Sequence, residues 1–239
     1  MPSEDYMEDA RDERDDICDA DEDLDLVDET DADDEESADD TVTFASLGLP
    51  EEILAAVTDM GFRVPTPIQA AAIPPLLELR DVVGIAQTGT GKTAAFGLPL
   101  LAIVDADERD VQALVLAPTR ELAMQSAQAI EDFAARTARL DVVPVYGGSP
   151  YGPQIGALKR GAQVVVGTPG RVIDLIEKGA LDLSNVRMLV LDEADEMLRM
   201  GFAEDVETIA SSAPDDRLTA LFSATMPAAI EKVAREHLK

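Results

Sequence analysis

The chain has 239 residues, one cysteine and one histidine, and its formal net charge is −30. One cysteine excludes an internal disulfide, and one cysteine with one histidine excludes a Cys/His zinc site. The acidic start resembles neither a signal peptide nor a basic transit peptide, and the sequence contains no apolar run of about 18 residues that would span a membrane. We therefore expect a soluble, cytoplasmic protein without a membrane partner.

The negative charge is concentrated at the N-terminus. Residues 1–40 contain 22 acidic residues and two basic ones, whereas residues 41–239 contain 27 acidic and 17 basic residues. A segment with so much like charge cannot bury enough apolar surface to offset its ordering entropy. We predict that residues 1–40 form a disordered acidic tail and that a folded domain occupies residues 41–239.

In the predicted domain, short apolar runs alternate with amphipathic segments. The runs are rich in Val, Leu and Ile, as is typical of strands buried on both faces. The predicted strands are Val82–Ile85, Ala113–Leu116, Val142–Val145, Gln163–Val166, Met188–Leu191 and Thr219–Phe222. The predicted helices are Glu51–Met60, Ile68–Leu77, Gly91–Leu101, Arg120–Ala135, Gln154–Arg160, Arg171–Lys178, Ala203–Ala210 and Ala228–Leu238. Such alternation predicts an α/β fold with three layers and a parallel sheet in the middle.

A glycine-rich segment follows the first predicted strand. It consists of Ala86, Gln87, Thr88, Gly89, Thr90, Gly91, Lys92 and Thr93. The glycines allow a tight turn whose N–H groups point at phosphates, and the following helix adds its positive end. Lys92 is placed to contact the β- and γ-phosphates, and Thr93 to bind Mg²⁺. This segment predicts a P-loop NTPase domain.

An acidic segment, Asp192-Glu193-Ala194-Asp195, follows the fifth predicted strand. Ligands of parallel α/β sheets bind beyond the carboxyl ends of the strands. A carboxylate at Asp192 can hold Mg²⁺ partly through water, and Glu193 can orient and deprotonate an attacking water. We therefore predict that Lys92, Asp192 and Glu193 are catalytic in the hydrolysis of a nucleoside triphosphate.

The set of motifs resembles that of the DEAD-box RNA helicases. The acidic segment spells their signature, and Gly61–Gln69, with Phe44 seventeen residues upstream, looks like their adenine-reading Q motif. Further family motifs follow in order at Pro118–Ala123, Gly147-Gly148, Thr168–Arg171 and Ser223–Thr225. The resemblance covers residues 42–239 and implies a RecA-like domain. Segments 146–149, 161–167 and 196–202 are most similar to bacterial cold-shock helicases of the DeaD/CsdA type.

The resemblance implies ATP and Mg²⁺ as cofactors. Phe44 would stack on the adenine, Thr66 would lie beside it, and Gln69 would offer a donor and an acceptor to the base. Residues 86–93 would complete the nucleotide site. Ser223 and Thr225 would couple the nucleotide state to RNA through hydrogen bonds to Asp195.

The resemblance also implies a surface for the backbone of single-stranded or short duplex RNA, without sequence preference. Arg120 and Arg171 would supply charge, and adjacent glycines would let the main chain approach the strand. The implied RNA-binding residues are Pro118, Thr119, Arg120, Gly147, Gly148, Thr168, Gly170 and Arg171. The acidic tail is then either a solubilising segment or a tethered competitor of RNA.

Members of this family carry a second RecA-like domain with an arginine finger, and no motif of that domain precedes Lys239. We therefore expect this chain to bind ATP, to hydrolyse it weakly, and to need the second domain for local unwinding of short RNA duplexes. The subfamily resemblance implies complexes of ribosome assembly or RNA decay. Two alternatives stay open: a nucleotide-dependent RNA clamp and a DNA-directed helicase.

Overall fold

The computed structural model describes residues 42–137 and 140–239, so the predicted acidic tail lies outside the described residues. The described part contains one sheet of six parallel strands, with the order β1-β6-β5-β2-β4-β3. The strands are β1 (Val82–Ile85), β2 (Ala113–Leu116), β3 (Val142–Val145), β4 (Val164–Gly167), β5 (Met188–Leu191) and β6 (Leu218–Ser223). Each lies within one residue of its predicted position, which confirms the predicted parallel α/β sheet.

Helices connect these strands. They are α1 (Glu51–Asp59), α2 (Pro67–Leu77), α3 (Lys92–Ile103), α4 (Arg120–Phe133), α5 (Tyr151–Lys159), α6 (Pro169–Glu177), α7 (Ala194–Arg199), α8 (Ala203–Ser211) and α9 (Ala228–His237). A 3₁₀ helix at Phe44–Leu47 and the six-residue α7 were not predicted, because one or two turns contain too few residues to establish a helical period. Among the described residues, no helix combines the length and the apolar character needed to cross a bilayer.

The sheet separates two hydrophobic clusters. Ala113 and Val115 of β2 pack into a cluster with side chains of α1–α4, whereas Leu114 and Leu116 pack into a second cluster with side chains of α5–α9. This division follows from the period of two along a strand, and it explains why a central strand such as β2 is apolar at every position. The fold therefore has the three predicted layers.

The register of the sheet brings the functional loops to one edge. Ile85 at the end of β1 pairs with Ser223, and Leu116 at the end of β2 pairs with both Leu191 and Gly167. Because all strands run in the same direction, the segments that follow them emerge together. The glycine-rich loop, the acidic segment and the three predicted RNA-binding loops thus share the carboxyl edge of the sheet.

Candidate functional site

The loop between β1 and α3 has the backbone of an anion-binding turn. Gly89 and Gly91 adopt φ values of 83° and 87°, which an L-residue with a Cβ rarely adopts. Gly91 is the residue immediately before α3, so the unpaired N–H groups of the helix start face the loop. The N–H of Ala86 donates to the Ser223 carbonyl at 2.9 Å, which fixes the start of the loop to β6.

Lys92 is buried at this helix start between two carboxylates. Its Nζ lies 3.6 Å from Oε1 of Glu193 and 3.9 Å from Oδ1 of Asp192. The Lys92 side chain is only 6 % exposed, and neither Lys92 Nζ nor Asp192 Oδ1 has a hydrogen-bond partner among the described residues. A buried ammonium group and a buried carboxylate oxygen without hydrogen bonds cost free energy unless a ligand supplies the missing partners. The Lys92 ammonium group fits a triphosphate, and the Asp192 carboxylate fits a hydrated Mg²⁺.

Thr93 follows Lys92 in the first turn of α3 and is partly exposed. A hydroxyl at this place is a suitable oxygen ligand for Mg²⁺. Its assignment as a magnesium ligand stays a prediction.

Glu193 is held in a strained conformation. Its φ of 51° lies in the left-handed region, where it precedes α7, and such a conformation is uncommon for a residue other than Gly, Asn or Asp. The Thr88 hydroxyl donates to Glu193 Oε1 at 3.0 Å. The glycine-rich loop and the acidic segment are therefore in direct contact, which places Glu193 next to the predicted phosphate position.

Burial raises the pKa of Asp192 to about 6, against the opposing attraction of Lys92 and with a further upward contribution from Glu193. Desolvation disfavours the charged form of a carboxyl group, and a neighbouring negative charge acts in the same direction. A metal ion at this carboxylate would compensate for both effects. A carboxyl group with a perturbed pKa in a cluster with a charged partner is a feature of functional sites.

Gln69 is bound within the protein in this structure, and its contact with a base stays a prediction. Its side chain is 2 % exposed, its Oε1 accepts from the Thr66 N–H at 2.9 Å, and its Nε2 donates to the Gly91 carbonyl at 3.1 Å. Both ends of the amide are thus engaged within the protein. In this structure Gln69 joins the start of α2 to the glycine-rich loop, rather than presenting its amide to a base.

The ring of Phe44 is enclosed in this structure, and its stacking on a base stays a prediction. Phe44 is 2 % exposed, and its ring meets that of Phe62 edge-on with centroids 6.0 Å apart. Phe62 in turn packs edge-on against Phe133 at 6.3 Å. In this structure the enclosed ring has no free face for a base, and Phe44 packs in the core.

The predicted coupling residues lie next to one another at the end of β6. The Thr225 hydroxyl donates to Asp195 Oδ2 at 2.8 Å, and the Ala224 N–H donates to Oδ1 at 3.4 Å. Burial acts to raise the pKa of Asp195, but the hydrogen bonds, led by that of Thr225, lower it below its ordinary value. The Ser223 hydroxyl donates to the Thr225 carbonyl at 2.7 Å, and a hydrogen bond from the Ser223 side chain also contributes to the lowered pKa of Asp195.

The predicted RNA-binding residues follow three strands that are neighbours in the sheet, β2, β4 and β3. Thr119 caps α4 by accepting from the Leu122 N–H at 3.3 Å, and Arg120 is exposed. Among the other predicted residues, Pro118 is buried and Thr168 is partly buried. The predicted glycines of the other two loops, Gly147, Gly148 and Gly170, are exposed.

Arg171, which the resemblance places among the RNA contacts, is buried in this structure. It is 7 % exposed, and its Nη1 donates to the Ser149 carbonyl and to Gln154 Oε1, each at 3.0 Å. Its guanidinium also lies 4.1 Å from the centroid of the Tyr151 ring. Arg171 therefore holds the loops together from inside, and its charge is not free for a phosphate in this structure.

Sequence reasoning missed Gln154 and Tyr146 as parts of this region. Gln154 is buried on α5, four residues before the buried Leu158. A polar residue on the apolar face of a predicted helix was therefore the sequence feature that could have indicated a buried polar contact. Tyr146 follows β3 directly, and the Arg120 guanidinium lies 4.7 Å from its ring centroid. An aromatic residue beside a glycine pair at a strand end was the corresponding signal for Tyr146.

Comparison with protein families gives a match over most of the chain. Residues 66–233 match the family described as DEAD/DEAH box helicase. The ATP-dependent RNA helicase DeaD of Escherichia coli is 57% identical over 197 residues, which cover 82% of this chain and 31% of that protein. The DeaD helicase of Mycobacterium tuberculosis is also 57% identical, over 196 residues that cover 82% of this chain and 35% of the relative. The chain spans about a third of the length of the curated relatives it matches.

Two solved structures are similar to the described fold. A DEAD box protein from the hyperthermophile Methanococcus jannaschii superimposes with a TM-score of 0.79 at 45% identity, covering 82% of this chain and 53% of that chain. A hypothetical ATP-dependent RNA helicase from Sulfolobus tokodaii gives a TM-score of 0.73 at 42% identity, covering 79% of this chain and 55% of that chain. The α/β domain is therefore RecA-like, as the sequence predicted.

Proposed function

The chain belongs to the DEAD/DEAH box helicase family, and on that premise we propose that it is the ATP-binding half of an ATP-dependent RNA helicase. The observation that carries this proposal is the buried cluster of Lys92, Asp192 and Glu193 beside the glycine-rich loop. This cluster joins a phosphate-binding loop to two carboxylates with the chemistry that phosphoryl transfer needs. The names of the relatives support ATP as the nucleotide.

The residues of the cluster divide the work of ATP hydrolysis. Lys92 and the N–H groups at the start of α3 bind the β- and γ-phosphates and stabilise the charge on them. Thr93 and Asp192 would hold Mg²⁺, which when bound neutralises phosphate charge. Glu193 orients the attacking water and accepts its proton. The contact of Glu193 with Thr88 keeps this carboxylate close to the loop that holds the phosphates.

RNA binding is assigned to the loops after β2, β3 and β4. The exposed glycines allow a close approach of the strand backbone, and Arg120 supplies charge at the same edge. Contacts of this kind read the backbone and not the bases. Ser223 and Thr225 lie at the end of β6, between the two strands whose loops form the nucleotide site, and Asp195 follows β5, the neighbour of β2. We assign to these three residues the coupling of nucleotide state to RNA.

Full activity requires groups from a second RecA-like domain, which the family resemblance implies. An arginine finger alone is worth roughly 10³–10⁵ in turnover in related phosphoryl-transfer systems. The chain by itself therefore binds ATP but hydrolyses it weakly, and strand separation is local. Ribosome assembly or RNA turnover in the cytoplasm is the setting that the subfamily resemblance favours.

Binding of Mg·ATP to the chain and to Lys92→Ala tests this proposal by calorimetry. Lys92→Ala should weaken binding at least roughly ten-fold, because a charge-assisted contact with phosphate is lost. Lys232→Ala, which removes an exposed lysine of α9, is the matched control and should bind like the original chain. Equal affinities for all three proteins would overturn the assignment of the site.

A further inference from the structure

The three loops assigned to RNA are connected by a continuous series of side-chain contacts. The Arg120 guanidinium lies over the Tyr146 ring, which links the loop after β2 to the loop after β3. Gln154 Nε2 then donates to the Tyr146 carbonyl at 3.2 Å. Gln154 Oε1 accepts from Arg171 at 3.0 Å, and Arg171 stands in the first turn of α6, after β4. The Gln154 amide therefore connects the loop after β3 directly to the start of α6, and it connects to the loop after β2 through Tyr146.

Arg171 is held at its end of this series from several sides. It donates to the Ser149 carbonyl, and its guanidinium stacks over the Tyr151 ring. The Tyr151 hydroxyl donates to Asp174 Oδ2 at 2.8 Å, and Arg171 Nε lies 3.8 Å from the same oxygen. A planar guanidinium with this many fixed partners is a rigid support. Movement of the loop after β3 would have to break contacts of Arg171.

Gln154 is suited to hold the loops in one arrangement. Its side chain is 6 % exposed, so water cannot readily replace a lost partner, and each end of the amide needs the partner that it has. A single glutamine supplies the required pair of groups, a donor for a carbonyl and an acceptor for a guanidinium. The geometry of the two loops is thereby tied to one buried residue, Gln154.

We infer that Gln154 is a positioning residue for RNA binding, which sets the loop at Gly147-Gly148 against the start of α6 so that one strand can contact both. This inference rests on the proposed function. Positioning contributes to affinity because loops that are already ordered lose less entropy on binding. Gln154 needs no contact with RNA for this role.

Two variants separate the two ends of the amide. Gln154→Met keeps the size of the side chain and removes both hydrogen bonds. Gln154→Glu keeps an acceptor for Arg171 and loses the donor to the Tyr146 carbonyl. Gln163→Met is the matched control, because Gln163 is also a buried amide that connects loops, through Asp141 N and Glu108 O, but at the amino end of β4.

The readouts are affinity for a fluorescent single-stranded oligouridine, affinity for Mg·ATP, melting temperature and backbone hydrogen exchange. Gln154→Met should lose roughly ten-fold in RNA affinity with Mg·ATP affinity unchanged, and exchange should accelerate at 146–149 and 168–171. Gln154→Glu should accelerate exchange at 146–149 alone and lose less RNA affinity. Gln163→Met should lower the melting temperature without weakening RNA binding.

The possible failures are distinguishable. If the original chain binds RNA and both Gln154 variants bind it equally well, the positioning role is overturned and the proposed function stands. If Gln163→Met weakens RNA binding as much as Gln154→Met does, the effect is one of general stability and the positioning role is again overturned. If the original chain binds Mg·ATP but no RNA, the proposed RNA-binding function fails, and the inference fails with it.

Discussion

At the scale of single residues, the proposed nucleotide site contains energetically unfavourable features that are rare in a protein core. Lys92 and Asp192 are buried charges without hydrogen-bond partners among the described residues, and Glu193 adopts a left-handed backbone. Each feature costs free energy in the unliganded protein. These features occur together where the loop after β1 contacts the segment after β5. Their occurrence in one place indicates a site organised for a ligand.

The raised pKa of Asp192 predicts a pH-dependent stability. Burial raises this pKa to about 6 in the folded state, whereas an unfolded aspartate titrates near 3.9. Between these two pH values Asp192 is therefore protonated in the folded state and ionised in the unfolded state. The free energy of unfolding should therefore fall by about 3 kcal/mol as the pH rises from about 4 to about 6. Asp192→Asn lacks this proton, so its stability relative to the original chain should rise over the same range.

Urea denaturation at several pH values in magnesium-free buffer measures this difference. Asp182→Asn is the control of opposite sign, because hydrogen bonds from Ser184 lower the pKa of Asp182. That variant should lose stability relative to the original chain as the pH rises through the acid range up to about 4, and the difference should be nearly flat above about pH 5. A difference for Asp192→Asn that stays flat from pH 4 to 7 would contradict the assigned pKa.

The buried ring of Phe44 predicts a loss of stability and not of nucleotide binding. Phe44→Ala should cost about 3–5 kcal/mol of unfolding free energy, because it leaves a cavity beside Phe62. Phe44→Leu should cost less than about 1.5 kcal/mol, since it nearly conserves apolar volume. Thermal melts and Mg·ATP titrations check both. If Phe44→Leu kept its stability and lost nucleotide affinity, the base-stacking role would be supported.

At the scale of elements, the loop that precedes helix α3 contains two glycines, Gly89 and Gly91. They contribute to stability in different ways. A Cβ at Gly91 would clash with Gln69 Nε2, whereas a Cβ at Gly89 would meet nothing within 4 Å. Both positions have positive φ, so alanine at either costs roughly 1–2 kcal/mol of strain. Only the substitution at Gly91 should also displace Gln69 from the Gly91 carbonyl.

We therefore expect Gly91→Ala to be less stable than Gly89→Ala by about 1 kcal/mol, the worth of a buried hydrogen bond. Urea denaturation of the two variants measures the difference. The double variants with Gln69→Ala supply the control, because the difference should shrink once the amide is removed. Equal stability of the two single variants would show that Gln69 does not fasten α2 to the loop.

The elements themselves were largely predictable, and some side-chain roles were not. The strands could be located because central strands such as β2 are apolar throughout, and the chemistry of residues 86–93 and 192–195 could be read from residue types in sequence. Whether Gln69, Phe44 or Arg171 faces a ligand or the protein depends on long-range partners. Gly91, Phe62 and Gln154 are distant in sequence, and no local pattern predicts these contacts.

At the scale of the whole molecule, RNA binding is proposed for one edge of a protein whose net charge is −30. Each phosphate that the protein neutralises contributes about −0.7 to the salt slope of single-strand binding. Arg120→Ala should therefore weaken oligouridine binding and reduce the slope by about this amount. Arg199→Ala, which removes an exposed arginine of α7 that is paired with Glu196, should change neither quantity. An unchanged slope for Arg120→Ala would remove Arg120 from the RNA contact.

We have proposed that this chain holds half of an ATPase site. Turnover of ATP by the 239-residue chain, measured with and without single-stranded RNA alongside Mg·ATP binding, tests it most directly. We predict that ATP binds and that turnover stays close to the background rate in both conditions, because the charge supplied by a second domain is needed. RNA-stimulated turnover would overturn this proposal, since the chain would then complete its own site.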